Sequence, residues 1–470
     1  MGKRIKLRGK ELYKLGYPKD GKTTGLAINA AIKHLKRMPK QEVLALLKEV
    51  LTEPNRFKDD QRFRELAYEL APELIVADKH DLREGGALAF ETYGSDNIDE
   101  LAKDQMHKAM KLPIALQGAL MPDAHLGYGL PIGGVLAAKN AVIPYGVGMD
   151  IGCRMCLSIY EVNPAILKKD RQRLKEILFD NTRFGNKKVF DNPINSEIFE
   201  YDEFKEIDLV KKLKGKAMSQ IGTSGSGNHF VEFGVVNISE KDEVLNIEPG
   251  SYLALLSHSG SRGMGAQIAM HYSQLARQLC ELPKEVNHLA WLGLDTQEGI
   301  EYWKAMNLAG DYASACHDDI HRRIGKAIAE QPICVVENHH NFAWKEKLAD
   351  GTEVIVHRKG ATPAGKDVLG VIPGSMTHKG YIVKGKGNPL SINSAAHGAG
   401  RRFSRSRARQ SFTHRQLKNL LKEKDVLLMG GGLDEAPMAY KNINTVMSQQ
   451  QDLVETLGSF TPKIVRMDGA

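Results

Sequence analysis

The apolar positions of the first 85 residues recur at helical spacing. In KQEVLALLKEVL, Val43, Leu47, Val50 and Leu51 fall on one face. TTGLAINAAIKHLKRM predicts a helix of the same kind. FRELAYELAPELI predicts a third, broken near Pro72, because proline lacks the N–H a helix interior needs. From about residue 86 the pattern changes. Short apolar runs end in glycine or polar loops: YLALLSHSG, QPICVVENHH and DVLLMGGG each read as a buried strand followed by a loop. CRMCLSIYEV reads as a strand with polar residues before it. Helical spacing returns in GAQIAMHYSQLARQL (265–279) and in 314–331. Strands alternating with helices predict an α/β core. The expected division is a charged helical N-terminal extension over 1–85 and a catalytic domain over 86–470. No repeat of fixed period and no low-complexity segment interrupts either part.

Composition narrows this only a little. At roughly 100–200 residues per domain, 470 residues allow several domains or one large α/β unit with additions. Hydrophobic content of 42% and charged content of 26% are those of an ordinary globular chain. The net charge of +8 leans toward polyanionic partners without specifying one. Five cysteines, an odd number in a long chain, argue against a disulfide framework. No apolar window approaches the length of a membrane span, and nothing near the N-terminus resembles a signal peptide. A soluble cytoplasmic protein is expected, with no membrane partner.

Three motifs look functional and are weak. GYPKDGKT (16–23) fits the phosphate-loop pattern G-x-x-x-x-G-K-[ST], but a basic, non-strand-like stretch precedes it where a buried strand is needed. The expected reading is a turn before a helix. CRMC (153–156) fits C-x-x-C without the βαβ context of a redox motif. GTSGSG (222–227) resembles a glycine-rich phosphate loop, and alone carries little.

A stronger signal comes from residues of metal-ligating type at strand ends. Asp150 and Cys153 lie in GVGMDIGCRM, His229 in GTSGSGNHFVEFG, His258 in LLSHSGSRGMG and His340 in VVENHHNFA. Each lies close to glycine, serine or asparagine, and most adjoin an apolar run. Strand ends in one sheet converge on one crevice. Imidazole and thiolate suit zinc, iron, nickel or copper, and a carboxylate adds tolerance for manganese. A bridging thiolate would hold two ions, an arrangement that serves phosphoryl transfer. SINSAAHGAGRRFSR (391–405) then gains meaning. His397 stands among small residues that permit close approach, with arginines following, as a nucleophilic histidine at a phosphate site would. The alternative for those arginines is a solvated basic helix face.

MPDAHLGYGLPIGG, GVGMDIGCRM, GSGNHFVEFG, HSGSRGMG, HHNFA, HRKGATPAG, GVIPGSM and AAHGAGR occur in an order that resembles the RtcB family of RNA-splicing ligases. The motifs run from about 119 to 405 and leave the first 85 residues uncovered. The resemblance implies an α/β fold with mixed β-sheets, flanking helices and a deep metal-binding cleft. It implies a GTP- and manganese-dependent RNA ligase that joins 3′-phosphate or 2′,3′-cyclic phosphate ends to 5′-hydroxyl ends through guanylylated His397. Asp123 would orient that histidine. Cys153 would bridge two Mn2+ ions, with Asp150 and His229 completing one site and His258 and His340 the other. Asn228, Phe230, Glu232, Asn341, Pro373, Gly374, Ser375, Met376, Gly398, Ala399 and Gly400 would form the GTP pocket. Arg262, Arg401, Arg402 and Arg405 are the expected RNA contacts. The implied partners are RNA with those ends and an archease-type activator or release-factor-like protein. The chain departs from the pattern in three places. Asp468 precedes Gly469 where the family commonly ends in Lys-Gly, with Arg466 as the candidate substitute. Gly380 stands where serine is usual, and Arg154 where glycine is usual. These departures support an alternative: a divergent paralogue that caps 3′-phosphate ends or repairs damaged tRNA or rRNA. A third reading is an inactive binding module.

Overall fold

The computed structural model describes residues 7–36, 38–71, 77–185 and 188–469. The chain divides into two compact units, Met1–Val76 and Ala77–Ala470. In the first, helices Gly9–Leu15, Gly21–His34, Lys40–Thr52 and Arg64–Leu70 enclose a core that includes Leu12, Ala31, Val43, Leu47, Val50 and Phe63. The face read from KQEVLALLKEVL is the buried one, with Leu51 at its margin. The expected break at Pro72 lies outside the described residues. The GKT of the phosphate-loop pattern opens a helix whose N-cap is Asp20, with its carboxylate accepting from the Thr23 N–H at 2.6 Å. A carboxylate therefore occupies the place where a phosphate would bind, and a helix rather than a strand precedes it.

The larger unit is α/β with mixed sheets. An eight-stranded sheet runs Pro332–His339, Arg154–Tyr160, Gly250–Ser259, Phe230–Ile238, Val454–Met467, Gly380–Gly385, Leu369–Ile372, with Leu427–Met429 pairing parallel to Val454–Met467. Its other pairings are antiparallel. A five-stranded sheet runs Asn341–Lys347, Glu353–Lys359, Ile132–Ala138, Ala115–His125, Glu91–Thr92, the last pair parallel. A single residue, His340, separates the edge strand of one sheet from the edge strand of the other.

Strand periodicity sets what each sheet face meets. In Arg154–Tyr160, Met155, Leu157 and Ile159 enter one core with Leu256 and Val336. Tyr160, on the opposite face, packs with Ile320 and Ile324 of the long helix Gln297–Ile328. That helix begins well before the segment legible from 314 onward. Gly310 interrupts the pattern, and its reason is a close approach: an added Cβ would lie 2.9 Å from the Phe342 ring. Ala329, in the left-handed region, ends it by donating to the Lys326 carbonyl. Among the described residues no helix is long and apolar enough to cross a membrane.

Candidate metal and nucleotide site

Antiparallel pairing brings two strand starts and two strand ends to one edge of the eight-stranded sheet. Cys153 immediately precedes Arg154–Tyr160, and His229 precedes Phe230–Ile238. His258 lies near the end of Gly250–Ser259, and His340 follows Pro332–His339. Register aligns them. His258 stands opposite both Met155 and Phe230, and the His340 N–H donates to the Cys153 carbonyl at 2.9 Å. The donor atoms converge. Cys153 Sγ is 3.2 Å from His258 Nε2 and 3.5 Å from His229 Nε2, His258 Nε2 is 3.2 Å from His340 Nε2, and His229 Nε2 is 2.9 Å from Asp150 Oδ2. All four of Cys153, His229, His258 and His340 are buried.

This set fits divalent cations. His229 and His258 present Nε2 toward Cys153 Sγ, and His340 presents its Nε2 to His258. The Nδ1–H of His258 has the Asn228 carbonyl as its acceptor at 3.1 Å, which fixes Nε2 as the lone pair. Burial and then the neighbouring His229 hold His258 down to about 3, and burial holds His340 well below the usual imidazole range, so both stay neutral. Burial followed by the Asp150 charge pushes the Cys153 thiol well up. A cation reverses that last preference, because a coordinating thiol is deprotonated. Gly260 makes room: a Cβ there would fall 2.2 Å from Asp150 Oδ1.

The nucleophile candidate comes from the other sheet. Between Leu120↔Gly134 and His125↔Ile132 the register slips, so residues 121–124 oppose Gly133 alone. This bulge aims Asp123 inward, fully buried, where its Oδ2 lies 2.6 Å from His397 Nδ1. His397 follows the short strand Ser394–Ala396, and its ring centroid is 5.0 Å from that of His340. Gly400, at φ +70°, lets the turn lie against Asp123; a Cβ would sit 2.1 Å from the Asp123 carbonyl oxygen.

Beside this pair opens a cavity of about 330 Å³. Asn228, Phe230, Glu232, Pro373, Gly374, Ser375, Met376, Gly398, Ala399 and Gly400 line it, together with His258, His340 and His397. Asn341 is not among its lining. Its side chain accepts from the Gly360 N–H at 2.9 Å and donates to the Asp150 carbonyl at 3.4 Å. Glu232 is buried, and burial raises its carboxyl well above the ordinary range.

The four arginines differ. Arg262 is buried and donates to Thr223 Oγ1 and the Gly185 carbonyl. Arg401 and Arg405 line the cavity but pair with Glu435, and Arg405 also with Asp434. Arg402 is exposed over Phe403. The suggestion that Arg466 replaces the family's lysine does not survive. Alternation turns Val465 and Met467 into the cavity, while Arg466 donates to the Leu178 and Phe179 carbonyls. Arg154 pairs with Glu337 and donates to the Gly310 carbonyl at 2.7 Å.

Sequence reasoning passed over His125, His378, Glu435 and Tyr440, all lining the cavity. His125 had a legible signal. It stands two residues after Asp123 in MPDAH, and its Nδ1 lies 3.1 Å from the Asp123 carbonyl. Burial lowers it to about 4. Glu435 and Tyr440 had none, because long-range folding alone brings them in.

A family model described as tRNA-splicing ligase RtcB matches residues 105–468. The RNA-splicing ligase RtcB of Escherichia coli (strain K12) is 32% identical over 394 residues, covering 77% of this chain and 92% of that protein. The tRNA-splicing ligase RtcB of Methanococcus maripaludis is 30% identical over 450 residues, covering 80% and 92%. That of Thermococcus kodakarensis is 31% identical over 432 residues, covering 76% and 89%.

Proposed function

The chain belongs to the RtcB family, and from that premise we propose that it is an RNA ligase joining 3′-phosphate or 2′,3′-cyclic phosphate ends to 5′-hydroxyl ends with GTP, through guanylylated His397. The observation that carries this reading is the His397–Asp123 pair beside the convergent Cys153, His229, His258 and His340 set. A buried carboxylate on Nδ1 holds that nitrogen as the N–H and leaves Nε2 as the lone pair. Nε2 then attacks the α-phosphorus of GTP, the bond to the bridging oxygen breaks, and pyrophosphate leaves. Asp123 stabilises the positive charge that develops on the ring. Water first opens a 2′,3′-cyclic end, breaking the P–O2′ bond to leave a 3′-phosphate. A 3′-phosphate oxygen of RNA then takes the guanylyl group, breaking the N–P bond and restoring His397. Attack by the 5′-hydroxyl on the activated phosphate expels GMP.

Manganese is the proposed cofactor: Asp150, Cys153 and His229 would hold one ion, and Cys153, His258 and His340 a second. When bound, it supplies charge neutralisation for the phosphates. Glu232 is the proposed guanine reader. Its carboxylate would accept from the base's N–H groups, which compensates for the cost of ionising it at that depth.

The test is incubation with α-labelled GTP and manganese, with and without 3′-phosphate RNA, followed by a denaturing gel. Label is expected on wild-type protein, on RNA when RNA is present, and on neither with His397→Ala. Comparable ligation by His397→Ala would sink the proposal. A second reading, capping without sealing, is favoured by one observation: Arg466 is turned away from the pocket and Asp468 stands beside Gly185. Offering a 3′-phosphate strand with and without a 5′-hydroxyl partner separates the two. A sealed product supports the ligase, and a guanylylated strand that persists in the partner's presence supports capping.

A further inference from the structure

The C-x-x-C pattern of CRMC is not a redox pair, because strand alternation sends its two cysteines to opposite faces of the sheet. Cys153 belongs to the cleft. Cys156 faces the long helix, where it meets His317 and His321, one helical turn apart. The sulfur and one nitrogen from each ring lie within 4.8 Å of one another, and all three residues are buried. We propose that Cys156, His317 and His321 form a zinc site, separate from the cleft, that ties the Gln297–Ile328 helix to the back of the catalytic sheet.

The hydrogen bonds around the cluster give this direction. The His317 Nε2–H has the Ser259 carbonyl as its acceptor at 3.2 Å, which leaves Nδ1 as the lone pair. This is the arrangement that fixes ligand imidazoles in metal sites. His317 Nδ1 and His321 Nε2 both point at one hydroxyl, Ser257 Oγ, at 2.6 and 2.7 Å. That hydroxyl has one proton and two nitrogens facing it. Without a cation, His321 satisfies it as the Nε2–H tautomer, and its Nδ1 accepts from Ser158 Oγ at 2.7 Å. With a cation, His321 carries its proton on Nδ1 and donates to Ser158, freeing Nε2. Zinc then displaces the Cys156 thiol proton to solvent, and Ser257 Oγ is placed as a fourth, oxygen ligand. One thiolate with two imidazoles suits zinc. Register sets Glu337 directly beside Cys156 on the same face, where it pairs with Arg154.

The full chain carrying Cys153→Ser and His258→Ala, stripped of metal, isolates the cluster from the cleft. Titration with Co2+ is expected to give a thiolate-to-cobalt absorption band saturating at one equivalent, lost on adding Cys156→Ser. No such band in the protein whose circular dichroism matches wild type overturns the proposal. Wild-type crystals soaked in zinc and measured at the zinc absorption edge give a readout that needs no variant. A peak among Cys156, His317 and His321 is expected, and peaks confined to the Cys153 cleft overturn the site.

Discussion

Asp123 and His397 are 274 residues apart and 2.6 Å from each other. Replacing Asp123 with asparagine keeps the shape and lets the imidazole take the wrong tautomer. Guanylylation by Asp123→Asn is expected to fall about 10²–10⁴-fold in a single-turnover labelling assay, with the melting temperature near wild type. Full activity would mean the carboxylate does not set the ring. Glu232 predicts a pH-dependent stability effect. Its folded pKa lies above its unfolded one, so the native state retains the proton longer. Stability therefore falls as pH rises above the ordinary carboxylate range. Glu232→Gln should flatten that decline in pH-resolved melts, and should weaken GTP labelling roughly 10–100-fold through loss of a charge-assisted hydrogen bond. At this scale much was legible. Asp150, Cys153, His229, His258 and His340 could be marked because polar residues at the ends of apolar runs stand out, and His397 because it stands among small residues with arginines following. Asn341 and Arg262 looked no different in sequence, yet one braces the Asp150 loop and the other fastens Gly185 and Thr223. A side chain's partner, unlike its type, is fixed only by tertiary packing.

Among elements, the strand ends that carry the donors are held by glycines whose missing Cβ is a structural requirement. Gly260→Ala would press a methyl onto Asp150 and push it away from His229. Manganese affinity, followed by calorimetry, is expected to drop about 10–100-fold, with little change in fold by circular dichroism. Unchanged affinity would show that the loop yields. Strand and helix positions were mostly readable from periodicity, and the back-to-back placement of Cys153 and Cys156 follows from it directly. The bulge at 121–124 was not readable, since a slip in register is a property of two strands and not of one. The helix start at Gln297 was missed for a related reason. Gly310, unfavourable locally, is required by Phe342, which is remote in sequence.

On the scale of the molecule, charge is unevenly shared. Residues 1–76 hold 17 Lys and Arg against 10 Asp and Glu, which is seven of the chain's net +8. The larger unit is close to neutral. If the N-terminal helices hold RNA phosphates, reversing the exposed Lys10, Lys14, Lys33 and Lys36 to glutamate should flatten the fall of log affinity with log salt. The slope should shrink by roughly 0.7 for each single-strand phosphate that is no longer neutralised. An identical slope would assign the basic excess to a solvated surface. Neither the charge count nor the periodicity announced the order of the eight-stranded sheet, in which Val454–Met467 lies between Phe230–Ile238 and Gly380–Gly385. That order has a consequence during synthesis on the ribosome. Until residue 467 has emerged, the two neighbouring strands present bare backbone edges, and no earlier segment can seal them. The nascent chain is thus exposed to mispairing until its final long strand arrives. Ribosomes stalled before Val454 should carry chains far more sensitive to protease, and more avid for chaperones, than ribosomes stalled past Met467 by a linker long enough to clear the exit tunnel.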